Sequence, residues 1–411
     1  MKLTKTTLFI FAFILSIISC TKNDDTILDV DPTTYIGNLM FINQVEIDDF
    51  EKEGYTTIIG DLTINSYTST SSDKITNLDG LKNLKTIEGD LSIHSNEILS
   101  NIDGLNNLTS VNHLDISENN TLTNINLNNL TSANKGLFIT DNAALINIDG
   151  LAKLLHVKKQ IWISNNDTLT NIDGLKNITT FEGEIRISLN KNLTNLNGLS
   201  NLISVSQNLS IGFNKSLTNI DGLSNLTSVG EDLSISFCNA LTNIDALANF
   251  SSADRVFIGS NNNLVNIDGL KNLTAAFEGE ITINANQKLT NLNGLSNLTS
   301  VSKGFDLSSN NSLTNIDGLN NLTSVGGHFS VFGNNSLKNL DALSNLLSVE
   351  SFMIAYNDSL TSFCGINSLI NNMNLTFINN NWFSSAEHKS NIFENALNLT
   401  LEDFNNGNCS Q

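Results

Sequence analysis

Residues 170–175 read Thr170-Asn171-Ile172-Asp173-Gly174-Leu175, and close variants of this hexapeptide recur along most of the chain. The final leucines of successive copies most often lie 24 residues apart, with extremes of 22 and 25. A fixed period of this size predicts a solenoid, in which each unit buries its apolar face against its neighbours. The leucines that mark the repeat are Leu81, Leu105, Leu127, Leu151, Leu175, Leu199, Leu223, Leu247, Leu270, Leu295, Leu319 and Leu343.

The apolar pattern within one unit predicts strands and turns. Each unit reads approximately L-x-x-V-x-x-x-L-x-I-x-x-N-x-x-L-T-N-I-D-G-L, so apolar residues recur every two or three positions, unlike the 3.6-residue helical period. The L-x-I tripeptide predicts a strand with two inward apolar residues and an outward centre, and stacked strands make one parallel sheet. At roughly 4.8 Å per strand, the stack forms a rod about 60 Å long. The predicted centres are Thr63, Ser92, Asp115, Phe138, Trp162, Arg186, Ser210, Ser234, Phe257, Thr282, Asp306, Ser330 and Met353.

An asparagine follows each predicted strand and forms a second column. A turn leaves backbone N–H and C=O groups facing inward, and a buried carboxamide can satisfy them; each unsatisfied group would cost about 1–3 kcal/mol. Cys238 occupies one position of this column. The asparagines are Asn96, Asn119, Asn142, Asn166, Asn190, Asn214, Asn261, Asn286, Asn310, Asn334 and Asn357.

Composition narrows the classes of partner. The 411 residues carry 21 Lys+Arg against 41 Asp+Glu, a formal net charge of −20, with 40% hydrophobic residues and one proline. The apolar content predicts a long core. Negative potential over the surface argues against nucleic acid and anionic bilayers, because these polyanions are bound through stripes of Lys and Arg.

These motifs resemble the leucine-rich-repeat superfamily and, within it, the L-domain-like repeats of cell-surface receptors. The resemblance covers roughly residues 58–366. It implies an all-β fold, a parallel β-solenoid of about 13 coils of about 24 residues, and binding of macromolecules on the strand face. That superfamily allows Asn or Cys at the asparagine column, so the resemblance implies that Cys238 is a buried structural thiol and not a nucleophile.

The N-terminus has the order of a secretory signal. Lys2 and Lys5 precede an apolar run, residues 8–18, which is too short to span a membrane. Residues 17–20, Ile-Ile-Ser-Cys, resemble the lipobox of bacterial lipoproteins, and residues 21–25 resemble the surface-export tag of Bacteroidetes-type lipoproteins. The resemblance implies a signal peptide at 1–19, a lipid on Cys20 that enters a membrane, an acidic linker at 20–40, and a place on the outer membrane, exposed at the cell surface.

Both ends of a solenoid need caps, because a terminal coil exposes apolar residues and strand edges. Residues 41–57 are the predicted N-terminal cap, with a short amphipathic helix within 43–55 that Gly54 ends. Residues 367–411 are the predicted C-terminal cap. With Cys20 lipidated and Cys238 in the asparagine column, Cys364 and Cys409 remain as a disulfide pair in an oxidising compartment.

Enzyme motifs do not stand out in the sequence. The five histidines fit no H-E-x-x-H pattern, and neither G-x-S-x-G nor a phosphate loop occurs. Glu182 with Glu184, and Glu278 with Glu280, have the spacing of glycosidase carboxylates, but their recurrence in duplicated four-coil blocks favours solvated strand-edge charges. We expect no catalytic residue, cofactor or metal.

The aspartates of I-D-G-L form a further column. We expect each Asp to make an Asx-turn and the following glycine to take a positive φ. Calcium is the alternative, but it needs about 6–8 oxygen ligands and each coil offers one carboxylate. The aspartates are Asp79, Asp103, Asp149, Asp173, Asp221, Asp245, Asp268, Asp317 and Asp341.

Phe138, Trp162 and Arg186 are the candidate ligand-binding residues. They occupy the outward centres of three successive strands, where aromatic and Arg side chains are typical binding anchors and flat rings can stack on sugars. The alternative is a surface ladder that only stabilises neighbouring strands, by about 0.2–1 kcal/mol per pair. Phe213 and Phe237, just beyond later strands, are expected to turn inward beside the asparagine column.

The sequence as a whole predicts a lipid-anchored, non-catalytic scaffold that adheres to a protein or glycan through its strand face. Three alternatives stay open: a glycan-capturing lipoprotein of a nutrient-uptake system, a structural envelope spacer, and a β-helical polysaccharide-cleaving enzyme.

Overall fold

The computed structural model describes residues 31–67, 69, 73–276, 279–373, 376–378, 381–385, 388–397 and 399–410. The chain divides into Met1–Pro32 and Thr33–Gln411, and every helix and strand described below belongs to the second unit. The predicted signal peptide, Cys20, most of the linker up to residue 30, and Glu278 lie outside the described residues.

Most coils contribute a longer strand to one parallel ladder, in register from end to end. The predicted strand centres pair in sequence order from Thr63 to Met353, which confirms the parallel β-solenoid. The strands of this ladder are β2 (Leu39–Phe41), β4 (Leu62–Ile64), β6 (Asp90–His94), β7 (Ser110–Ser117), β8 (Ser132–Thr140), β10 (Gln160–Ser164), β12 (Glu184–Ser188), β14 (Leu209–Gly212), β16 (Asp232–Ser236), β17 (Arg255–Gly259), β19 (Ile281–Asn284), β21 (Phe305–Ser308), β22 (Ser324–Phe332), β23 (Ser348–Ala355) and β26 (His388–Phe393).

Short strands earlier in most coils stack in parallel in three separate runs among the described residues: β1 to β9, β11 to β15, and β18 to β23. Strands β7, β8, β22 and β23 extend from these runs into the longer ladder. These short strands are β1 (Thr34–Ile36), β3 (Thr57–Ile59), β5 (Thr86–Ile87), β9 (His156–Val157), β11 (Thr180–Phe181), β13 (Ser204–Val205), β15 (Ser228–Val229), β18 (Ala275–Ala276) and β20 (Ser300–Val301).

The Asp-Gly-Leu motif of most coils forms a 3₁₀-helix instead of a longer helix. Repeated Leu, Ile and Val side chains from all coils fill one continuous core. Among the described residues, no helix has the length and apolarity needed to cross a membrane. The 3₁₀-helices are Glu51–Glu53, Asp79–Leu81, Asp103–Leu105, Asp149–Leu151, Asp173–Leu175, Asn197–Leu199, Asp221–Leu223, Asp245–Asn249, Asp268–Leu270, Asn293–Leu295, Asp317–Leu319, Asp341–Asn345 and Cys364–Ile366.

The sheet starts earlier than the predicted boundary. β1 pairs with β3 and β2 pairs with β4, so residues predicted as linker supply the first edge of the sheet. The predicted cap helix is α1 (Gln44–Phe50); Asn43 Oδ1 accepts the Glu46 N–H at 3.0 Å. After the short 3₁₀-turn, Gly54 at φ 71° ends the helical segment, as expected. The helix stacks on the first Asp-Gly-Leu turn and so takes the place of a 3₁₀-helix in the first coil.

The C-terminal residues add one more level to the solenoid. β26 pairs in parallel with β23 and antiparallel with β25 (Asn381–Ser385), which pairs with β24 (Thr376–Ile378). The remaining helices are α2 (Asn367–Asn372) and α3 (Leu401–Asn405). A disulfide joins Cys364 and Cys409, the pair expected from the sequence, with Cα atoms 4.9 Å apart and a sequence separation of 45. The bridge ties the last 3₁₀-helix to the chain end.

The predicted role of the Asp-Gly pair is wrong in both residues. The Asx-turn is made by the asparagine two positions earlier: Asn171 Oδ1 accepts the Asp173 N–H at 3.1 Å, and other coils repeat this bond. Gly104 does not have a positive φ; a Cβ there would lie 1.8 Å from the Leu78 carbonyl oxygen of the preceding coil. At Gly104 the close approach of two coils therefore leaves no room for a side chain, whereas Ala246 and Ala342 occupy the same motif position in two other coils.

The asparagine column is a continuous buried ladder. Asn166 Oδ1 accepts the Asn142 N–H at 3.1 Å, while its Nδ2 donates to the carbonyls of Ile139 at 2.8 Å and Ser164 at 3.1 Å. The same pattern continues at both ends beyond the predicted asparagines: Ser66 N–H donates to Asn96, and Asn395 Oδ1 accepts from Asn357. Each rung thus joins two coils.

At Cys238 the thiol replaces the carboxamide. Its Sγ lies 3.4 Å from the Ser236 carbonyl oxygen, and the Cys238 N–H donates to Asn261 Oδ1 at 2.9 Å. Burial raises the pKa of this thiol to about 11. A thiol that stays protonated at neutral pH is a poor nucleophile, which agrees with a structural role.

We predict that Asn166→Ala lowers the free energy of unfolding by roughly 2–5 kcal/mol, because it leaves the Asn142 N–H and the Ile139 carbonyl buried without a partner. The control is Asn225→Ala, which removes a bond of 2.7 Å to the Ser200 carbonyl at the exposed surface, where water can replace it. Its loss should stay below about 1 kcal/mol. Urea titration measures both; equal losses would contradict the ladder's role.

Candidate ligand-binding face

Two outward columns of side chains define the strand face. The central column comprises the residues in register with Trp162. The edge column comprises the residue that directly precedes each residue of the asparagine ladder. This residue has a positive φ in almost every coil. The edge column is Ser95, Glu118, Asp141, Asn165, Leu189, Phe213, Phe237, Ser260, Ala285, Ser309, Gly333, Tyr356 and Glu394.

Phe138 and Trp162 form a parallel ring stack on the central column. Their centroids are 4.6 Å apart and their planes differ by 4°, while the His113 ring meets Phe138 edge-on at 4.5 Å. Both side chains are half-buried. Since the rings cover each other's faces along the solenoid axis, Phe138 presents mainly its edge to solvent. This does not favour the face-on stacking of a sugar on Phe138 that the sequence suggested.

Arg186 continues the column directly after Trp162 and is exposed. Its Nε donates to Ser188 Oγ at 3.4 Å. In the part of the chain that the structure describes, no carboxylate lies within 4.0 Å of its guanidinium. The structure therefore places all three candidate residues side by side, and the guanidinium at the end of the aromatic pair has no carboxylate partner among the described residues.

The indole N–H of Trp162 has no hydrogen-bond partner among the described residues, although the atom is buried. A buried donor without a partner is disfavoured by about 1–3 kcal/mol. This unfavourable indole N–H lies within the Phe138–Trp162 ring stack of the strand face.

His113 also belongs to the strand face beside Phe138, although it fits no enzyme motif in the sequence. It lies opposite Gly136 in the next strand, where a Cβ would come within 2.9 Å of His113 Nδ1. The glycine thus leaves room for the imidazole to lie beside Phe138. Burial lowers the pKa of His113, against the opposing charges of Asp90 and Asp115. The one sequence signal for this contact is the glycine two positions before Phe138.

The prediction for Phe213 and Phe237 is wrong, because both rings face solvent. Phe213 is 43% exposed and Phe237 is 40% exposed, and their centroids stack at 4.2 Å with planes 8° apart. Leu189, in the preceding coil, is 45% exposed. The reason is conformational: the left-handed residue turns the chain so that the following ladder residue points inward and its own side chain points out.

Polar groups dominate a groove of about 490 Å³ near the N-terminal coils. Some of its carboxylates already have partners: Glu97 pairs with Lys74, Asp167 with Lys191, and Glu118 accepts from Ser95. Its lining residues are Tyr67, Ser95, Glu97, Glu118, Asn120, Asp141, Ala143, Asn165 and Asp167. These bonds make the groove a network of charges joining coils.

The other candidate carboxylates show no assembled centre. Glu280 lies 3.3 Å from Arg255 in an ion pair, and Glu182 is exposed beside half-buried Glu184. Asp79 and Asp103 of the aspartate column are exposed. Within the described residues, no group of three or more His, Cys, Asp or Glu is placed to hold a metal ion.

The recurring N-L-T tripeptides have a structural explanation. Asn107 Nδ2 donates to the Lys82 carbonyl at 2.8 Å, and Thr109 Oγ1 donates to the Lys85 carbonyl at 2.8 Å, both in the preceding coil. Further coils repeat the two bonds. These residues join coils at the surface and do not line the ligand-binding face.

Comparison with known proteins does not identify a family for this chain. No family model matches the chain, and no curated protein matches it. Among solved structures, the chain is similar to an internalin from Listeria monocytogenes, with 19% sequence identity and a TM-score of 0.43 over 78% of this chain and 86% of that chain. A likeness this weak carries no argument about function, so the site is defined by its own geometry.

Proposed function

We propose that this protein is a non-catalytic scaffold that binds a macromolecule, a protein or a glycan, through its strand face. The observation that carries the proposal is that five successive coils each present an outward aromatic or Arg side chain. Phe138, Trp162 and Arg186 do so on the central column, and Phe213 and Phe237 on the edge column. Such side chains dominate binding energy in interfaces because they combine large contact area with few rotatable bonds.

The scaffold suits this role because the positions of the side chains are fixed by the ladder. Each strand is held in register by the two strands beside it, and each turn is held by hydrogen bonds of the buried asparagine that follows the strand. A face that is ordered before binding loses little conformational entropy on association. The spacer alternative, in contrast, gives no reason for exposed rings at Phe213 and Phe237.

The test is binding of the full chain to a mixed array of glycans and matrix proteins, beside a variant with Phe138, Trp162 and Arg186 all replaced by Ala. We expect native binding that the variant loses. Its melting temperature should fall only slightly, because each lost pair on this outer face contributes about 0.2–1 kcal/mol. Absence of binding by the native chain would favour the spacer; equal binding by both proteins would move the site away from these residues.

We also propose that the scaffold is anchored to the bacterial outer membrane, exposed at the cell surface, through a lipid on Cys20. The support is the lipobox-like sequence that ends at this cysteine. Metabolic labelling with palmitate should label the wild-type chain and leave Cys20→Ala unlabelled. Equal labelling of the two would refute the anchor.

A further inference from the structure

A shallow trough interrupts the central column after Arg186. Its floor consists of Ser210 and Gly212 in one strand and Ser234 and Ser236 in the next, which are paired in register. Gly212 and Ser236 are buried at its bottom. All four residues are small, whereas the strands on either side carry Arg186 and Phe257.

One long side of the trough is the Phe213–Phe237 stack of the edge column. Phe257 closes one end: its ring lies across Gly259, where a Cβ would come within 2.6 Å of Phe257 Cζ. Arg186 closes the other end, three strands away, or about 14 Å at the usual strand spacing. The trough therefore has a hydroxyl floor, an aromatic wall and one cationic end.

The aromatic wall is maintained against backbone preference. Phe213 has φ 58° and Phe237 has φ 54°, a region where bulky residues are genuine outliers. Ser260 and Ser309 show that small polar residues occupy the same position in other coils. The ladder imposes this conformation on almost every coil, Leu189 and Tyr356 included, so no ring is needed to make the turn. The two stacked rings in successive coils therefore point to a role outside the folding of the coil.

The cationic end also stands out from the rest of the chain. Arg186 and Arg255 are the two arginines in the sequence. Arg255 is neutralised by Asp232 at 2.9 Å and Glu280 at 3.3 Å, whereas no described carboxylate lies within 4.0 Å of the Arg186 guanidinium. In a chain with 41 acidic residues, an exposed guanidinium without a carboxylate is complementary to a carboxylate supplied from outside.

We infer that this trough is a subsite for a sugar that carries a carboxylate, as sialic and uronic acids do. Arg186 binds the carboxylate, the serine hydroxyls of the floor hydrogen-bond to ring hydroxyls, and the Phe213–Phe237 wall contacts the C–H groups of the sugar. The inference rests on the proposed function and names the ligand class and the site.

The floor and the charge favour a glycan over a protein partner. A protein interface has an apolar centre and commonly covers about 800 Å² on each partner, whereas this trough is short and its floor is hydroxyl-rich. The net charge of −20 repels a polyanionic glycan that carries a negative charge on every sugar residue. The preferred ligand therefore carries an isolated carboxylate.

The experiment is calorimetric titration of the full chain with 3′-sialyllactose and with an aldobiouronic acid. We expect at least one to bind, and its methyl ester, which lacks only the charge, to bind at least about tenfold more weakly. Arg186→Gln should cause a similar loss, and Phe237→Ser a loss of about threefold or more through the aromatic wall.

Two matched variants serve as controls. Lys338→Gln removes an exposed cation, and Tyr356→Ser removes a 45% exposed ring from the same edge column; both residues lie in coils far from the trough. Both should bind as the native chain does, and every variant should melt close to the native temperature, since each loses only contacts at the surface.

Three results would overturn the subsite: no binding of either acidic sugar, equal binding of ester and acid, or unchanged binding by Arg186→Gln. If the array shows a protein ligand that Phe237→Ser loses while the acidic sugars fail to bind, the glycan assignment falls and the scaffold function stands. If the array shows no ligand at all and the acidic sugars do not bind, both the sugar subsite and the proposed binding function are wrong.

Discussion

The buried asparagine ladder is the interaction on which the rest of the structure depends. Every coil must reverse direction after its strand, and each reversal would leave backbone donors and acceptors inside the core. The Asn190 carboxamide satisfies such groups in its own coil and in the preceding one, through bonds to Ser188, Ile163 and the Asn166 N–H. Because every rung needs the next one, the coils cannot shift relative to each other without breaking several buried hydrogen bonds.

This constraint also creates the functional surface. An inward asparagine requires the residue before it to adopt a left-handed conformation, which turns that residue's side chain outward. The coil therefore produces an exposed column whose side chains are free to vary. In most coils the chain places small or polar residues there, but at Leu189, Phe213 and Phe237 it places apolar groups, beside a floor of serine and glycine. The ladder thus determines where a ligand can be bound, and the variable columns determine which ligand.

The sequence predicted the repeated part of the fold because the constraint acts in every coil. Thr63 to Met353 fall in one column as expected. The first level, at Met40, was missed because a helix replaces the usual turn after it. The last level was missed because a hairpin separates Asn357 from Asn395. These two rungs are therefore 38 positions apart in the sequence, whereas other rungs are about one repeat apart.

The site was less predictable, for reasons of local geometry. Phe138, Trp162 and Arg186 were found because they occupy strand centres, whose direction follows from alternation alone. The outward direction of Phe237 depends on a positive φ, which a bulky apolar residue does not signal in a sequence. Likewise, Thr-Asn-Ile-Asp-Gly contains two residues able to form an Asx-turn, and only the stacked coils show that the asparagine does so.

Site-resolved amide hydrogen exchange on the full chain tests the central claim most directly. The Asn166 and Asp173 N–H groups each donate to an asparagine Oδ1 at 3.1 Å, but the first bond is buried in the ladder and the second is exposed. If the ladder holds the coils together, the Asn166 amide will exchange orders of magnitude more slowly than the Asp173 amide. Similar exchange rates at the two positions would contradict the account, because the ladder would then open as readily as a surface turn.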